Sequence, residues 1–267
     1  MIDQAIQNQL RTQYNPEGSP LRQRQLRMLE MLKFVDRICT ENNIKYWLSS
    51  GTCLGAVRHH GFIPWDDDVD IELLEDDYNK LIKILRENET DEFVIQSSED
   101  DPNYIFDFAK LRDKKTQVKE SFGLDRLYKH QGLFIDIFKL VPSNSRTLHY
   151  ISGRMRTLEN YLKLWAIDHR IVKFLFPFIR KMNNSIFKVF SVFDKLGSTE
   201  RLRHTLGVPF LASRFYNDIF DIKQMEFEDS FFPVPRNYHK YLTNMFGDYM
   251  QMKISHTHLQ PENAMVN

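Results

Sequence analysis

The chain of 267 residues carries 42% hydrophobic and 27% charged residues, with 36 Lys and Arg balancing 36 Asp and Glu. That is the make-up of a soluble globular domain large enough to bury a core, and a net charge of zero argues against a dedicated nucleic-acid binder. Two cysteines, Cys39 and Cys53, are too few for a disulfide framework or a four-cysteine zinc site and read as buried thiols.

In chain order, residues 1–19 are polar and end in an Asn-Pro-Glu-Gly-Ser-Pro turn cluster. Leu21 to Asn42 has the three-to-four spacing of an amphipathic helix, with Met28, Leu29, Leu32, Val35 and Ile38 on one face. A short strand, Ile44 to Ser49, leads into Gly51-Thr52, and a second strand is expected from about Asp68 to Leu74. Asp76 to Asn88 reads as a helix capped by Asp76. Further strands are expected at Phe93–Gln96, Tyr104–Arg112, Thr116–Lys119 and Leu133–Leu140. From Arg146 to Arg203, twelve Lys and Arg against four Asp and Glu, interleaved with aromatics, predict a mostly helical segment broken near Pro177 and at Gly197. The order of elements predicts an α/β (α+β) fold built on a mixed sheet. No apolar h-region opens the chain and no apolar run approaches ~18 residues, which predicts a cytoplasmic protein with room for peripheral membrane contact.

Eight acids fall within the twelve positions Asp66 to Asp77. Alternate residues of a strand share a face, so Asp68 and Asp70 are placed to grip one hard cation, with Asp66 beside them. Asp136, set among Leu133, Phe134, Ile135, Ile137 and Phe138, would be costly to bury unless it is paired or bound to an ion. Asp107, in a similar apolar setting, is the runner-up. Such a cluster suits Mg²⁺, with Mn²⁺ as the alternative, bridging to substrate phosphates. Asp136 is the candidate general base. Gly51 and Thr52 offer backbone N–H groups to phosphate; Arg58 is a candidate phosphate clamp and His59 or His60 a candidate partner for the leaving group, against the alternative of an exposed basic turn. Lys110 and Arg112 alternate on their strand as further phosphate contacts or a solvated face. Trp65 is a packing residue or an aromatic face for a quaternary ammonium group.

The Leu-Gly-Ala-Val-Arg-His and Ile-Pro-Trp-Asp-Asp-Asp-Val-Asp-Ile stretches between Gly51 and Ile71 resemble the LicD family of phosphocholine transferases, relatives of fukutin and fukutin-related protein. Ile44–Trp47, Gly132–Phe138, Phe227-Glu228, Pro233-Val234-Pro235 and Phe246–Tyr249 extend the resemblance. Cys53 in place of a common Leu, and Phe138-Lys139 in place of Phe-Pro, depart from the family pattern without touching the acids. The resemblance implies a nucleotidyltransferase-like core using Mg²⁺, held by Asp66, Asp68, Asp70 and Asp136. It implies CDP-choline as donor and a hydroxyl of a cell-surface glycan precursor of teichoic acid or lipopolysaccharide type, on a lipid carrier, as acceptor. On this reading residues 20–145 are the catalytic core and 146–224 a helical basic insertion that contacts acceptor or the inner membrane leaflet. Residues 225–267 complete the core after the polar segment 1–19. A nucleotidyltransferase acting on a small molecule or RNA, and a non-catalytic metal- or glycan-binding module, are the alternatives.

Overall fold

A computed structural model describes residues 3–120, 123–197 and 200–252. The ends of the N-terminal segment 1–19 and of the C-terminal segment 225–267 therefore lie outside the described residues, as do Thr199 and its neighbour Ser198. The helices are α1 (Gln4–Tyr14), α2 (Pro20–Glu41), α3 (Ser50–His59), α4 (Glu75–Glu87), α5 (Arg146–Ala166), α6 (Arg170–Asp194), α7 (Tyr216–Ile219) and α8 (Tyr238–Phe246). The strands are β1 (Trp47–Leu48), β2 (Asp70–Leu74), β3 (Phe93–Gln96), β4 (Ala109–Asp113), β5 (Phe134–Pro142), β6 (Arg201–His204), β7 (Arg214–Phe215), β8 (Lys223–Phe227) and β9 (Ser230–Val234).

One mixed sheet runs in the order β1-β2-β5-β4-β3, with β6 pairing the far end of β5 and β7 pairing β6. Its centre is the parallel pair β2–β5, in which Asp70 lies opposite Asp136 and Glu72 opposite Phe138. The antiparallel neighbour β4 sets Lys110 opposite Asp136. Strand alternation therefore sorts the sheet into two unlike faces. Ile71, Leu73, Ile135, Ile137 and Leu111 point to one side and join Leu32 and Val35 of α2 and Leu81 and Leu85 of α4 in a continuous core. Asp70, Glu72, Asp136 and Lys110 point to the other.

Pro20 opens α2, and Ser19 caps it by accepting a hydrogen bond from the Arg22 N–H, the arrangement a free helix N-terminus calls for. Several expected elements differ. β2 starts only at Asp70, so Asp66 and Asp68 sit in the loop before it. Leu74, not Asp76, holds the cap position of α4, and Asp76 lies in its first turn, where a carboxylate faces the positive helix end. Tyr104 to Phe108 is irregular. Thr116–Lys119 forms no strand; Val118 makes a single backbone bond to Gln131. α6 passes through Pro177 unbroken. The one backbone bond that proline removes is outweighed by the seating of Phe176, Asn183 and Phe187 on either side of it.

Candidate active site

A cavity of about 930 Å³ opens over the polar side of β2 and β5, within the range of small-molecule sites. Asp66, Asp68, Asp70 and Asp136 line it together with Gly51, Arg58 and Trp65. The four acids expected from sequence are thus gathered at one place. Burial, then the neighbouring Asp68, Asp136 and Asp66, push the Asp70 carboxyl well above its ordinary range. Burial likewise raises Asp136, although Lys110 opposes the shift from 2.8 Å away. Among the described residues no three His, Cys, Asp or Glu side chains converge tightly enough to enclose a metal alone. The donor set nevertheless fits an ion such as Mg²⁺, which takes hard oxygens from one or two carboxylates and completes its shell with water and substrate phosphate.

Local structure explains how each acid is held. Thr52 Oγ1 accepts a 2.8 Å hydrogen bond from the Asp70 N–H, so this threonine aligns the first residue of β2 and does not face the cavity. A Cβ on Gly51 would lie 2.9 Å from Asp66 Oδ2; glycine there lets the carboxylate rest against the first turn of α3, where orphan N–H groups favour negative charge. Gln25 of α2 donates to the carbonyl of Asp66 at 2.9 Å and accepts from Asn15 at 2.6 Å, pinning the turn that carries the acid.

The basic cluster is not an exposed turn. Arg58 is buried, donating through Nη1 to the Tyr249 carbonyl at 2.8 Å and through Nε to His59 Nε2 at 2.9 Å. It is a cation of the cavity wall, anchored to the C-terminal part of the chain. His59 Nδ1 meets Gln7 Oε1 at 2.6 Å, so its ring is spoken for at both nitrogens and turns away from the acids. His60 takes the left-handed cap position of α3 (φ 53°) and also stands outside the cavity. Neither histidine is placed to meet a leaving group. Lys110 is buried between Asp136 and Glu120, 3.1 Å from the ring centroid of Phe134, and Arg112 is enclosed by Gln96, Gly132 and Glu120; neither forms a solvated face. Asp107 is a buried salt bridge, held in two-pronged fashion by Arg156 at 2.7 and 2.9 Å. Trp65 is buried, edge-on to Tyr14 at 5.2 Å, and lines the cavity as well.

Further wall residues are Phe138, Phe246 and Tyr249, noted in sequence only as landmarks of the resemblance, and His204, Phe210, Arg214 and Met245, which sequence reasoning did not single out. Behind it lies Glu72, fully buried. Its carboxylate accepts from Trp47 Nε1 at 3.1 Å and Tyr241 OH at 2.7 Å, and meets His204 Nε2 at 2.9 Å and Arg214 Nη2 at 2.5 Å. Burial alone would raise this carboxyl, but Arg214, His204 and Tyr241 together hold it well below the usual carboxylate range. The signal was present, since Glu72 continues the alternate spacing of Asp68 and Asp70, but its partners lie far along the chain.

Burial, with Arg214 alongside, pulls His204 down to about 4 from an ordinary 6.5. Burial and the charges of Arg58 and Arg11 pull His59 down to about 3. Both rings are neutral in the folded protein, and below pH 6.5 the unfolded chain takes up protons that the folded chain refuses. Each histidine is therefore expected to lower stability by about 1.4 kcal/mol per pH unit as pH falls from 6.5 toward those values. Urea denaturation of the wild type and of His59→Gln at pH 7 and pH 5.5 checks this; a pH dependence that the substitution leaves unchanged would contradict it.

Residues 43–163 match the family described as LicD/FKTN/FKRP, nucleotidyltransferase domain. Those residues are a LicD-type domain. The chain is 27% identical over 252 residues to the lipopolysaccharide cholinephosphotransferase LicD of Haemophilus influenzae, an alignment covering 87% of this chain and 92% of that protein. It is 28% identical over 159 residues to the human ribitol-5-phosphate transferase FKTN, covering 52% of this chain and 33% of that one. The mouse ribitol 5-phosphate transferase FKRP is 28% identical over 115 residues, covering 43% and 20%. The LicD domain contains the acid row, whereas His204, Phe210, Arg214, Phe246 and Tyr249 of the cavity wall lie beyond its matched residues.

Proposed function

We propose that this chain transfers phosphocholine from CDP-choline to a hydroxyl of a cell-surface glycan precursor, releasing CMP. The observation that carries the reading is the row Asp70–Asp136–Lys110 across three strands, its two acids lining a cavity walled by Trp65, Phe138, Phe210, Phe246 and Tyr249. Carboxylates in that position suit phosphoryl chemistry, and aromatic faces suit a quaternary ammonium group.

In this reading the acceptor hydroxyl approaches Asp136, which takes its proton as the new O–P bond forms at the distal phosphorus. The bond to CMP breaks on the opposite side, and Arg58 faces the departing phosphate charge. Lys110 loses part of its pairing with Asp136 when that carboxyl is protonated but keeps Glu120, 3.5 Å away. When bound by Asp68, Asp70 and Asp136, Mg²⁺ would neutralise charge on the transferring phosphoryl group.

Calorimetric titration with CDP-choline, CDP-ribitol, CTP and ATP, each with and without Mg²⁺, tests the assignment. Metal-dependent binding is expected to favour CDP-choline over the others. Preference for CDP-ribitol would change the transferred alcohol. Preference for a triphosphate, with pyrophosphate as product, would move the reaction to nucleotidyl transfer.

A further inference from the structure

The α5–α6 hairpin is built inside out. Its inward side is polar: Glu159 is buried against Arg156, Arg180 and Asn183 at 2.7–3.1 Å. His149 meets Asp194 at 2.9 Å, and Lys163 Nζ donates to the Pro102 carbonyl at 2.8 Å. Its outward side is apolar. Ile171 is 76% exposed and Phe174 72%, with Phe178, Met182, Val192 and Phe193 also in the open; helical geometry puts these six on one stripe opposite the buried Phe176, Asn183 and Phe187. Leu158, Tyr161 and Trp165 of α5 extend the exposed surface. A soluble protein does not leave so large an apolar patch uncovered without a partner for it.

Charge identifies the partner. Arg170, Lys181, Lys188 and Lys195 run along one edge of the stripe, all exposed, while Glu159 and Asp194 are buried and Asp168 is the one exposed acid of the hairpin. The exposed Lys and Arg of the hairpin therefore outnumber its exposed acids, even with Lys195 paired to Glu75 of α4 at 3.3 Å. A second copy of the chain would oppose this positive edge with its own, whereas an anionic lipid surface would neutralise it. No helix among the described residues is long and apolar enough to cross a membrane. α6, with 25 residues about 37 Å long, has the length and polarity of a helix lying in the interface.

We propose that the outer face of α5 and α6 docks on an anionic bilayer surface, Phe174 and Phe178 entering the acyl boundary and the lysine edge meeting lipid phosphates. Gly153 of α5 packs on the Pro209 backbone, where a Cβ would come within 3.2 Å, and Pro209 lines the 930 Å³ cavity. The docked hairpin would thus hold the cavity wall close to the lipid surface. The test is co-sedimentation of the full chain with phosphatidylcholine vesicles, with and without phosphatidylglycerol, while following Trp165 emission. Binding is expected to require the anionic lipid, to blue-shift the emission, and to weaken about tenfold at high salt. Phe174→Ser with Phe178→Ser is expected to weaken it by a similar factor with the melting temperature unchanged, because both rings are exposed. Vesicle binding that ignores the double substitution would overturn the proposal. So would a wild-type chain that ignores vesicles and instead forms a dimer, in light scattering, that the same substitutions dissolve. Neither readout depends on catalysis, so the result stands apart from the donor assignment.

Discussion

Asp70→Asn is expected to lower transfer by roughly 10³-fold or more and, in the same protein, to raise the melting temperature measured in a chelator. The carboxylate sits half-buried beside Asp68, Asp136 and Asp66, so the folded chain contains like charges that an isosteric amide relieves. Relief of about 1 kcal/mol would move the midpoint up by roughly 2–4 °C for a chain of this size. Added Mg²⁺ is expected to raise the wild-type midpoint and leave the variant nearly unmoved. A fall in the metal-free midpoint would mean that cations of the protein, Lys110 first among them, already satisfy the cluster.

The second large effect concerns Glu72. Glu72→Ala leaves the Arg214 guanidinium buried without its counter-charge and removes the acceptor of Trp47 and Tyr241. Breaking a buried pair from one side costs about 3–5 kcal/mol, a large part of a typical domain's stability, and it would loosen His204 and Arg214 where they line the cavity. Replacing both partners, Glu72→Leu with Arg214→Leu, is expected to recover much of that loss in urea denaturation without restoring activity. If the single and double variants unfold together, the network does not carry stability through this pair.

Which parts were legible in advance follows from the range of the interactions involved. Asp70 and Asp136 could be picked out because strand alternation and the cost of burying an acid are local arguments; the same alternation was extended to Asp68, which reaches the cavity from the loop before β2 instead. The amphipathic α2 and the strands β3 and β5 were legible for the same reason. His59 was misplaced because nothing near it in sequence announces Gln7, which takes up its ring, whereas Arg58 lines the cavity, held there by the equally distant Tyr249. Glu72 was one acid among eight until Arg214 and His204 gave it a meaning. The charge excess of residues 146–203 was plain, but which side of the helices faced inward depended on the burial of Arg156 and Glu159 against Asp107 and Asn183. A proline in α6 ended the helix on propensity alone and failed to do so once tertiary contacts were made on both sides of it.

The central parallel pair also dictates when the site can exist during folding. β2 and β5 cannot be joined by a tight turn, so Asp70 meets Asp136 only after the whole intervening stretch, with α4, β3 and β4, has been gathered between them. Contacts of such long range carry a loop-closure cost and form slowly. This one also brings two carboxylates together, so electrostatic repulsion opposes the closing step, and β6 and β7, with their wall residues, attach only to a strand already in place. A chain interrupted during synthesis before β5 would contain Asp66, Asp68 and Asp70 yet no paired acid, no Lys110–Asp136 contact and no cavity. The paired acids and the wall that closes over them are thus late acquisitions of the fold, and a half-made chain presents no finished cavity.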